Sequence, residues 1–218
     1  MIELSGYTVK KQGFALKRFD FAISPGECWF VSADYRDNAE LFFAALATLV
    51  YPVEGNYRFK GTLLDFSSYK NLLPYKKRMG YISPCLNPVS NRTIRENLLL
   101  PRYCEENSLS VKLDKNIEDM CVLFHIRNKL DEKITMVSQW DAKITIMIRE
   151  LSKNPELILV ERPEEVVAPD RLWMFTNLLH QELVSGRSLV IFSRNKAFYD
   201  NFSPDGKVML KGEKVTII

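Results

Sequence analysis

The sequence contains 218 residues, of which 46% are apolar, and its formal net charge is +3. This length suits one substantial domain with its own core, and the weak charge, with basic residues scattered among acidic ones, predicts no nucleic-acid partner. No apolar run approaches the roughly 20 residues that a membrane-spanning helix needs, so we expect no membrane-spanning segment.

The first fifty residues predict strands followed by a helix. A strand is indicated by apolar residues that alternate with polar ones, namely Phe19, Phe21 and Ile23. The turn at 24–27 leads to a buried strand over 28–32, and the polar segment 34–38 leads to a helix from about residue 39 to 50. That helix is predicted from apolar residues at helical spacing, namely Leu41, Phe42, Ala45, Leu46 and Leu49.

The rest of the chain predicts a helical segment and then alternating strands and helices. Between about residues 90 and 145, an amphipathic helix is indicated by Ile117, Met120, Cys121 and Phe124. The apolar runs 157–160 and 188–192, joined by a helix over about 170–184, are typical of parallel strands covered on both faces. The pattern therefore predicts an α/β core with a helical insertion.

The N-terminus and the cysteines bear on the cellular compartment. Residues 1–5 include no basic region followed by an apolar stretch, so we expect no signal peptide. Cys28, Cys85, Cys104 and Cys121 are spread along the chain without C-x-x-C pairing. This spacing favours reduced thiols over disulfides or a zinc site, and therefore predicts a cytoplasmic protein.

Three blocks of sequence, in order and without gaps inside each block, resemble the ATPases of ABC transporters. They are 25–27 with 52–55, 78–82 with 93–98, and 149–151 with 154–163. The resemblance covers almost the whole chain and implies an α/β fold: an ABC-ATPase-like P-loop NTPase core with a mainly parallel sheet, an N-terminal antiparallel β-subdomain and an inserted helical subdomain. It implies a single domain over 1–218, with core parts at 1–90 and 146–218 and the helical subdomain at 91–145.

The positions matched to the family's phosphate-binding loop, G-x-x-x-x-G-K-[ST], lack its chemistry. In that loop glycines expose backbone N–H groups to the phosphates, while the lysine and the hydroxyl serve phosphate and Mg²⁺. Counted from Gly26, the four positions hold Ala33, Asn38, Ala39 and Glu40. A carboxylate at about 4 Å from a phosphate charge costs about 4 kcal/mol at an effective dielectric of 20. We therefore expect no nucleotide and no other cofactor to bind.

The remaining catalytic positions implied by the resemblance are also changed. Pro84 stands at the glutamine that senses magnesium, Arg162 at the catalytic glutamate and Arg194 at the switch histidine. Arg162 offers no acceptor and cannot serve as a base. Glu161, at the Walker B aspartate, is a conservative change that still offers a cation ligand, although we expect no metal site.

The signature motif L-S-G-G-Q, which in this family completes the partner's site, is replaced by the stretch 137–141. Ser138 remains, but Gln139 and Trp140 replace glycines that allow close approach to the nucleotide. The aspartate of the D-loop is lost to Ala168. The resemblance therefore implies that both faces of the nucleotide site are degenerate.

Ordinary structural roles also account for several of these residues. The acidic set of Asp34, Asp37 and Glu40 is typical of a solvated helix N-terminus, which Asn38 could cap. The charged run 161–165 is typical of a solvated loop with local ion pairs.

Single aromatic residues and histidines give weaker signals. The family's adenine-stacking aromatic falls at 9–11, where none occurs, and the nearby Tyr7 stays open as an offset alternative. His125 and His180 are single histidines on predicted helices, which favours a structural role over a catalytic one.

The resemblance implies a catalytically degenerate ABC subunit that acts as a structural or regulatory partner of a membrane permease, of an active ABC ATPase or of a second copy of itself. Its expected place is the cytoplasmic face of the membrane. The stretch 96–101 most resembles the lipoprotein-release and lipid-transport branches. One alternative is a divergent ATPase that still hydrolyses ATP, and another is a soluble interaction domain no longer tied to transport.

Overall fold

The computed structural model describes residues 1–11 and 13–218, apart from the side chains of Cys104 and Glu105. The thiol predicted at Cys104 therefore lies outside the described residues. The strands are β1 Ile2–Lys11, β2 Phe14–Ile23, β3 Cys28–Ala33, β4 Pro52–Phe59, β5 Thr62–Leu63, β6 Met79–Ile82, β7 Leu157–Glu161, β8 Ser188–Phe192, β9 Gly206–Lys211 and β10 Lys214–Ile217.

Two sheets organise the chain. The first has four antiparallel strands in the order β2-β1-β4-β5. The second has six strands in the order β10-β9-β3-β8-β7-β6, and only its edge pair β9–β10 is antiparallel. The antiparallel N-terminal sheet and the mainly parallel core sheet are those predicted from the sequence.

The helices cover both faces of the core sheet. They are α1 Arg36–Leu46, α2 Tyr69–Lys77, α3 Ile94–Glu106, α4 Lys115–Leu123, α5 Gln139–Ser152, α6 Leu172–Val184 and α7 Lys196–Tyr199. The strands β7 and β8 pair in parallel with α6 between them, which confirms the predicted crossover. The predicted helix at 39–50 is displaced, because α1 begins at Arg36 and ends at Leu46.

Local capping explains where the helices of the insertion begin. Thr93 and Glu96 form a reciprocal capping box at the start of α3, and Asp114 accepts a hydrogen bond from the backbone of Ile117 at the start of α4. The predicted apolar stripe of α4 is buried, while His125 lies in the turn after that helix rather than on a helix. The division of the chain into three parts stays a prediction.

Two hydrophobic clusters hold the layers together. One packs the antiparallel sheet and α1 against one face of the core sheet, and the other packs α4, α5 and α6 against the opposite face. The strands of the core sheet are buried on both faces, as their continuous apolar sequences predict. Within the described part of the chain, no helix is long and apolar enough to cross a membrane.

Candidate functional site

The connection between β3 and α1 is much shorter than the sequence predicts. The strand β3 ends at Ala33 and the helix begins at Arg36, which leaves Asp34 and Tyr35 between them. The positions matched to the loop's second glycine, lysine and hydroxyl therefore lie inside the helix. Of these, Asn38 is 3% exposed and Ala39 is fully buried. The N–H of Asn38 bonds to the carbonyl of Tyr35 at 3.2 Å, and Ala39 and Glu40 lie beyond the first turn, where N–H groups bond to carbonyls of the helix itself.

Asp34 turns its carboxylate onto amide groups of the chain itself. It accepts hydrogen bonds from the backbone of Tyr35 at 2.8 Å, from the backbone of Gly212 at 2.8 Å and from the side chain of Asn38 at 3.0 Å. The bond from Gly212 is the main cause that lowers the pKa of Asp34. The predicted cap at Asn38 is wrong: Tyr35 is the N-cap residue and gives no side-chain cap. Asn38 is buried one turn into the helix because its amide reaches back to Asp34.

Arg162 lies among three carboxylates, those of Glu40, Glu161 and Glu165. We call these four charged side chains the Arg162 site. The Arg162 side chain is fully buried. One terminal nitrogen, Nη1, donates to both oxygens of Glu165 at 2.9 and 2.8 Å, and the other, Nη2, donates to Glu40 at 3.0 Å. Its Nε donates to Glu161 at 3.3 Å. A single guanidinium therefore serves three carboxylates at the position matched to the catalytic glutamate.

Glu161 is held by further donors on the neighbouring strand β6 and directly after it. Its Oε2 accepts from the Tyr81 hydroxyl at 2.6 Å and from the Ser83 hydroxyl at 2.9 Å, and its side chain is fully buried. Burial and the adjacent carboxylate raise the pKa of Tyr81 well above its usual range. Both oxygens of Glu161 are therefore occupied by groups of the chain itself.

The sequence interpretation of 161–165 as a solvated loop is wrong for its first half. Glu161, Arg162 and Pro163 are buried, although the predicted local ion pairs do form. Arg162 also takes a left-handed backbone conformation, with φ of 48°, which costs about 1–3 kcal/mol for a residue other than glycine. The carboxylate contacts of its side chain offset that strain.

Pro84, at the position matched to the magnesium-sensing glutamine, contributes only its carbonyl. The ammonium of Lys143, on α5, donates to the carbonyls of Pro84 and Leu86, the second at 2.8 Å, and to the side-chain oxygen of Asn87 at 2.9 Å. Burial lowers the pKa of Lys143. Sequence reasoning missed this residue, and the available signal was a lysine on an otherwise apolar stripe of α5.

The signature stretch forms the start of α5. The Ser138 hydroxyl accepts from the backbone of Asp141 at 3.1 Å and so caps the helix, while Gln139 is exposed and Trp140 is 38% exposed. Asp141 is 2% exposed and pairs with Lys129 at 2.7 Å. The serine that survives in the signature is therefore engaged as a helix cap.

Arg171 adds a second cation to Asp141. Its guanidinium contacts the Asp141 carboxylate at 3.3 Å and donates to the carbonyl of Phe124 at 2.9 Å. Burial alone would raise the pKa of Asp141, but the bonds from Lys129, Ser138 and Arg171 outweigh it and lower that pKa. Asp141 therefore ties α5 to the segment that follows α4 and to the start of α6.

The loop after β8 is tied to the segment after β7. Glu164 accepts from the Ser193 hydroxyl at 2.7 Å and from the backbone of Arg194 at 2.8 Å, while the Arg194 side chain stays exposed.

Tyr7 cannot stack on an adenine, because its ring is fully buried between Phe19 and Tyr57. That open alternative is therefore wrong.

The other singled-out residues lie apart from the Arg162 site. Ala168, at the D-loop position, is 9% exposed, and His180 stacks on Phe202 with ring centroids 4.4 Å apart. Cys28 and Cys121 are buried free thiols. Among the described residues, no group of three or more His, Cys, Asp or Glu side chains could hold a metal ion.

Comparison with known proteins places the fold. No family model matches the chain. The uncharacterized ABC transporter ATP-binding protein YvcR of Bacillus subtilis is 25% identical over 150 residues, which are 68% of this chain and 58% of that protein. The lipoprotein-releasing system ATP-binding protein LolD of Desulfotalea psychrophila is 24% identical over 119 residues, which are 54% of this chain and 53% of that protein. The chain thus spans little more than half of the length of these relatives.

Solved structures match the fold of this chain over its full length. The ATP-binding cassette MJ0796, as a dimer in a post-hydrolysis state with ADP and Pi, matches with a TM-score of 0.85 at 17% identity. The match covers 100% of this chain and 98% of that one. The chain has the fold of an ABC transporter ATP-binding cassette. A second dimeric structure of MJ0796 matches the cassette with a TM-score of 0.84 at 18% identity, over 99% of this chain and 96% of that one.

The cassette therefore keeps its frame while the side chains at its matched nucleotide positions bond to one another. A phosphate group at the β3–α1 connection would meet Asp34 and Glu40, with the buried methyl of Ala39 in place of a lysine. The absence of nucleotide and metal binding stays a prediction.

Proposed function

We propose that the cassette is an ABC subunit that does not hydrolyse ATP and that acts as a structural or regulatory partner of a membrane permease or of an active ABC ATPase. The observation that carries the proposal is the Arg162 site. A fully buried arginine bonds to Glu40, Glu161 and Glu165 where the family places the catalytic glutamate and the magnesium ligands.

The carboxylates of this site already have donors from the chain itself: Arg162 donates to all three, and the hydroxyls of Tyr81 and Ser83 donate to Glu161. Binding Mg²⁺ and a nucleotide would require the carboxylates to leave Arg162, and the buried guanidinium would then lose its partners. Breaking a buried ion pair costs about 3–5 kcal/mol. An arginine also cannot accept a proton from an attacking water, because it stays protonated at all ordinary pH values. Both considerations support a cassette that works through its surfaces.

The relatives support a role beside a membrane protein. YvcR and LolD are named as ATP-binding proteins of an ABC transporter and of a lipoprotein-releasing system, respectively. We extend to this cassette a peripheral position at the cytoplasmic face of the membrane, next to a permease, in lipid or lipoprotein transport. The matched MJ0796 structures are dimeric, and we propose pairing with itself or with a second cassette.

Isothermal titration with Mg²⁺ and ATP tests the catalytic half of the proposal. We expect no saturable heat up to millimolar nucleotide, with MJ0796 as the positive control. Saturable Mg²⁺-dependent binding, or ATP turnover that co-elutes with the purified chain, would instead make it a divergent ATPase.

Purification of the tagged cassette from membranes of its native host tests the partner half. We expect a multi-span permease, with or without a second cassette, to be retained and to be identified by mass spectrometry. The control is the same tagged chain with Ile144→Ala, a substitution in the core that weakens the fold. A wild-type chain that stays monomeric and retains neither protein would leave only a soluble interaction domain.

A further inference from the structure

A pocket of about 650 Å³ lies beside α7, where the strands β3 and β8 end. Phe30, Tyr199 and Phe202 of its lining belong to the hydrophobic cluster on the face of the core sheet opposite α1. The pocket shares no lining residue with the Arg162 site. Its volume falls within the range of about 300–1,000 Å³ that is usual for small-molecule sites.

Three aromatic side chains form an apolar wall of the pocket. The ring centres of Phe30 and Tyr199 are 4.4 Å apart, and those of Phe30 and Phe202 are 6.3 Å apart. The Tyr199 hydroxyl accepts from the backbone of Ser193 at 2.8 Å and donates to the carbonyl of Val31 at 2.9 Å, so this ring is fixed in place. Phe30 and Phe202 are 8% and 6% exposed and offer ring edges, whereas Tyr199 is half-buried and offers more of its surface. Such a wall suits a planar aromatic body, because ring edges favour the face of another ring.

Polar side chains without a described partner stand around this wall. Arg194, directly after β8, and Lys207, on β9, are exposed, and no hydrogen bond or ion pair of either side chain is described. The strand β3 lies between β8 and β9, so the two cations stand on opposite sides of the pocket. Ser32 adds a hydroxyl and Asp200 a carboxylate, which leaves a net charge of +1 on the described lining residues.

The charge and the wall together select the class of ligand. A surplus of one positive charge favours a single negative group, and arginine, lysine and a hydroxyl are the usual side-chain donors to a carboxylate. A nucleoside triphosphate suits the pocket less well, because its several negative charges exceed that surplus and Asp200 would repel them. A neutral aromatic compound would gain nothing from the two cations.

We propose that this pocket binds an aromatic carboxylate of small-molecule size, with its ring against Tyr199 and Phe30 and its carboxylate between Arg194 and Lys207. This binding does not depend on the proposed partner role, because no residue of the Arg162 site lines the pocket.

Ligand-observed NMR titration of the full chain tests the proposal. The probe is naphthoate, while naphthamide and naphthylmethylammonium offer the same ring system with a neutral and a positive group. We expect naphthoate to bind and its Kd to rise with NaCl, because salt screens exposed charges. The two other compounds should bind at least about fivefold more weakly.

Variants locate the site. Arg194→Gln and Lys207→Gln should each raise the Kd of naphthoate about twofold to fivefold. Lys211→Gln removes the same charge from an exposed position on the same strand as Lys207 but outside the pocket, and it should leave the Kd unchanged. Ser32→Leu places a larger side chain in the pocket and should raise the Kd at least about tenfold. All four side chains are exposed, so circular dichroism melts should show a Tm within about 2 °C of the wild-type value.

Three results would overturn the proposal: no binding of naphthoate at millimolar concentration, equal binding of naphthamide, or a loss in Lys211→Gln as large as in Arg194→Gln and Lys207→Gln. Competition with ATP separates a carboxylate site from a nucleotide site. We expect millimolar ATP to leave naphthoate bound, and its displacement would show that the pocket takes a nucleotide instead. Purification of the tagged cassette is read separately, so failure of naphthoate to bind leaves the proposed partner role standing.

Discussion

Replacing Arg162 by leucine should destabilise the fold by about 3 kcal/mol at neutral pH. The guanidinium serves three carboxylates, and these differ in their access to water. Glu40 is 32% exposed and Glu165 is 45% exposed, so water replaces much of the lost interaction there. Glu161 is fully buried and loses its contact with the guanidinium. Loss of one partner from a buried pair costs about 3–5 kcal/mol, and we take the lower end because two of the three carboxylates reach solvent.

The hydroxyls of Tyr81 and Ser83 still donate to Glu161 in this variant, which is a further reason to expect the lower figure. For a chain of this size, about 3 kcal/mol lowers Tm by roughly 6–12 °C. Thermal and urea melts followed by circular dichroism measure the shift in Tm and the loss in free energy of unfolding.

Glu165→Gln is the matched control for that experiment. It removes one charge from the same site at a side chain that is 45% exposed, so we expect a loss of no more than about 1 kcal/mol. An Arg162→Leu variant that melts with the wild-type chain, or a Glu165→Gln variant that loses as much as Arg162→Leu, would refute the description of a buried guanidinium that holds the site together.

Two further predictions concern α5. Asp141→Asn should destabilise the fold by about 1–3 kcal/mol, because Lys129 and Arg171 lose their carboxylate. Since the folded-state pKa of Asp141 is lowered, the stability difference between the two proteins should be full above about pH 4 and should vanish as the pH falls through that lowered pKa. Acid titration of the stability of both proteins measures this difference. Trp140→Ala should cost less than about 1 kcal/mol, whereas Ile144→Ala on the same helix should cost about 2–5 kcal/mol in urea melts, and equal losses would contradict the assigned burial.

The strands of the core sheet were predictable because each is marked by a few consecutive apolar residues. The runs 157–160 and 189–192 are continuously apolar, and short runs of this kind are typical of strands covered on both faces. The start of α1 was not predictable in the same way. Its first turn is polar and resembles a loop, and it is helical because Asn38 turns inward to Asp34 rather than capping from outside.

The buried charges were beyond sequence reasoning for a different reason. Charged side chains are rarely fully buried, so the run at 161–165 favours a solvated loop. Arg162 is buried because Glu40, which lies 122 positions earlier in the chain, meets it in the folded protein. Lys143 is a similar case, since its three oxygen partners lie on a loop 56 to 59 positions away. Such pairings become visible only when the topology is known.

The Arg162 site also limits how the chain could change in evolution. A glutamate at position 162 would bring a fourth carboxylate among Glu40, Glu161 and Glu165, in place of the guanidinium that contacts all three. Each pair of like charges at about 4 Å costs about 4 kcal/mol at an effective dielectric of 20. A carboxylate at position 162 is therefore among the most damaging single substitutions there. It would be tolerated only together with substitutions of the neighbouring carboxylates, so positions 40, 161, 162 and 165 are constrained to change as a group.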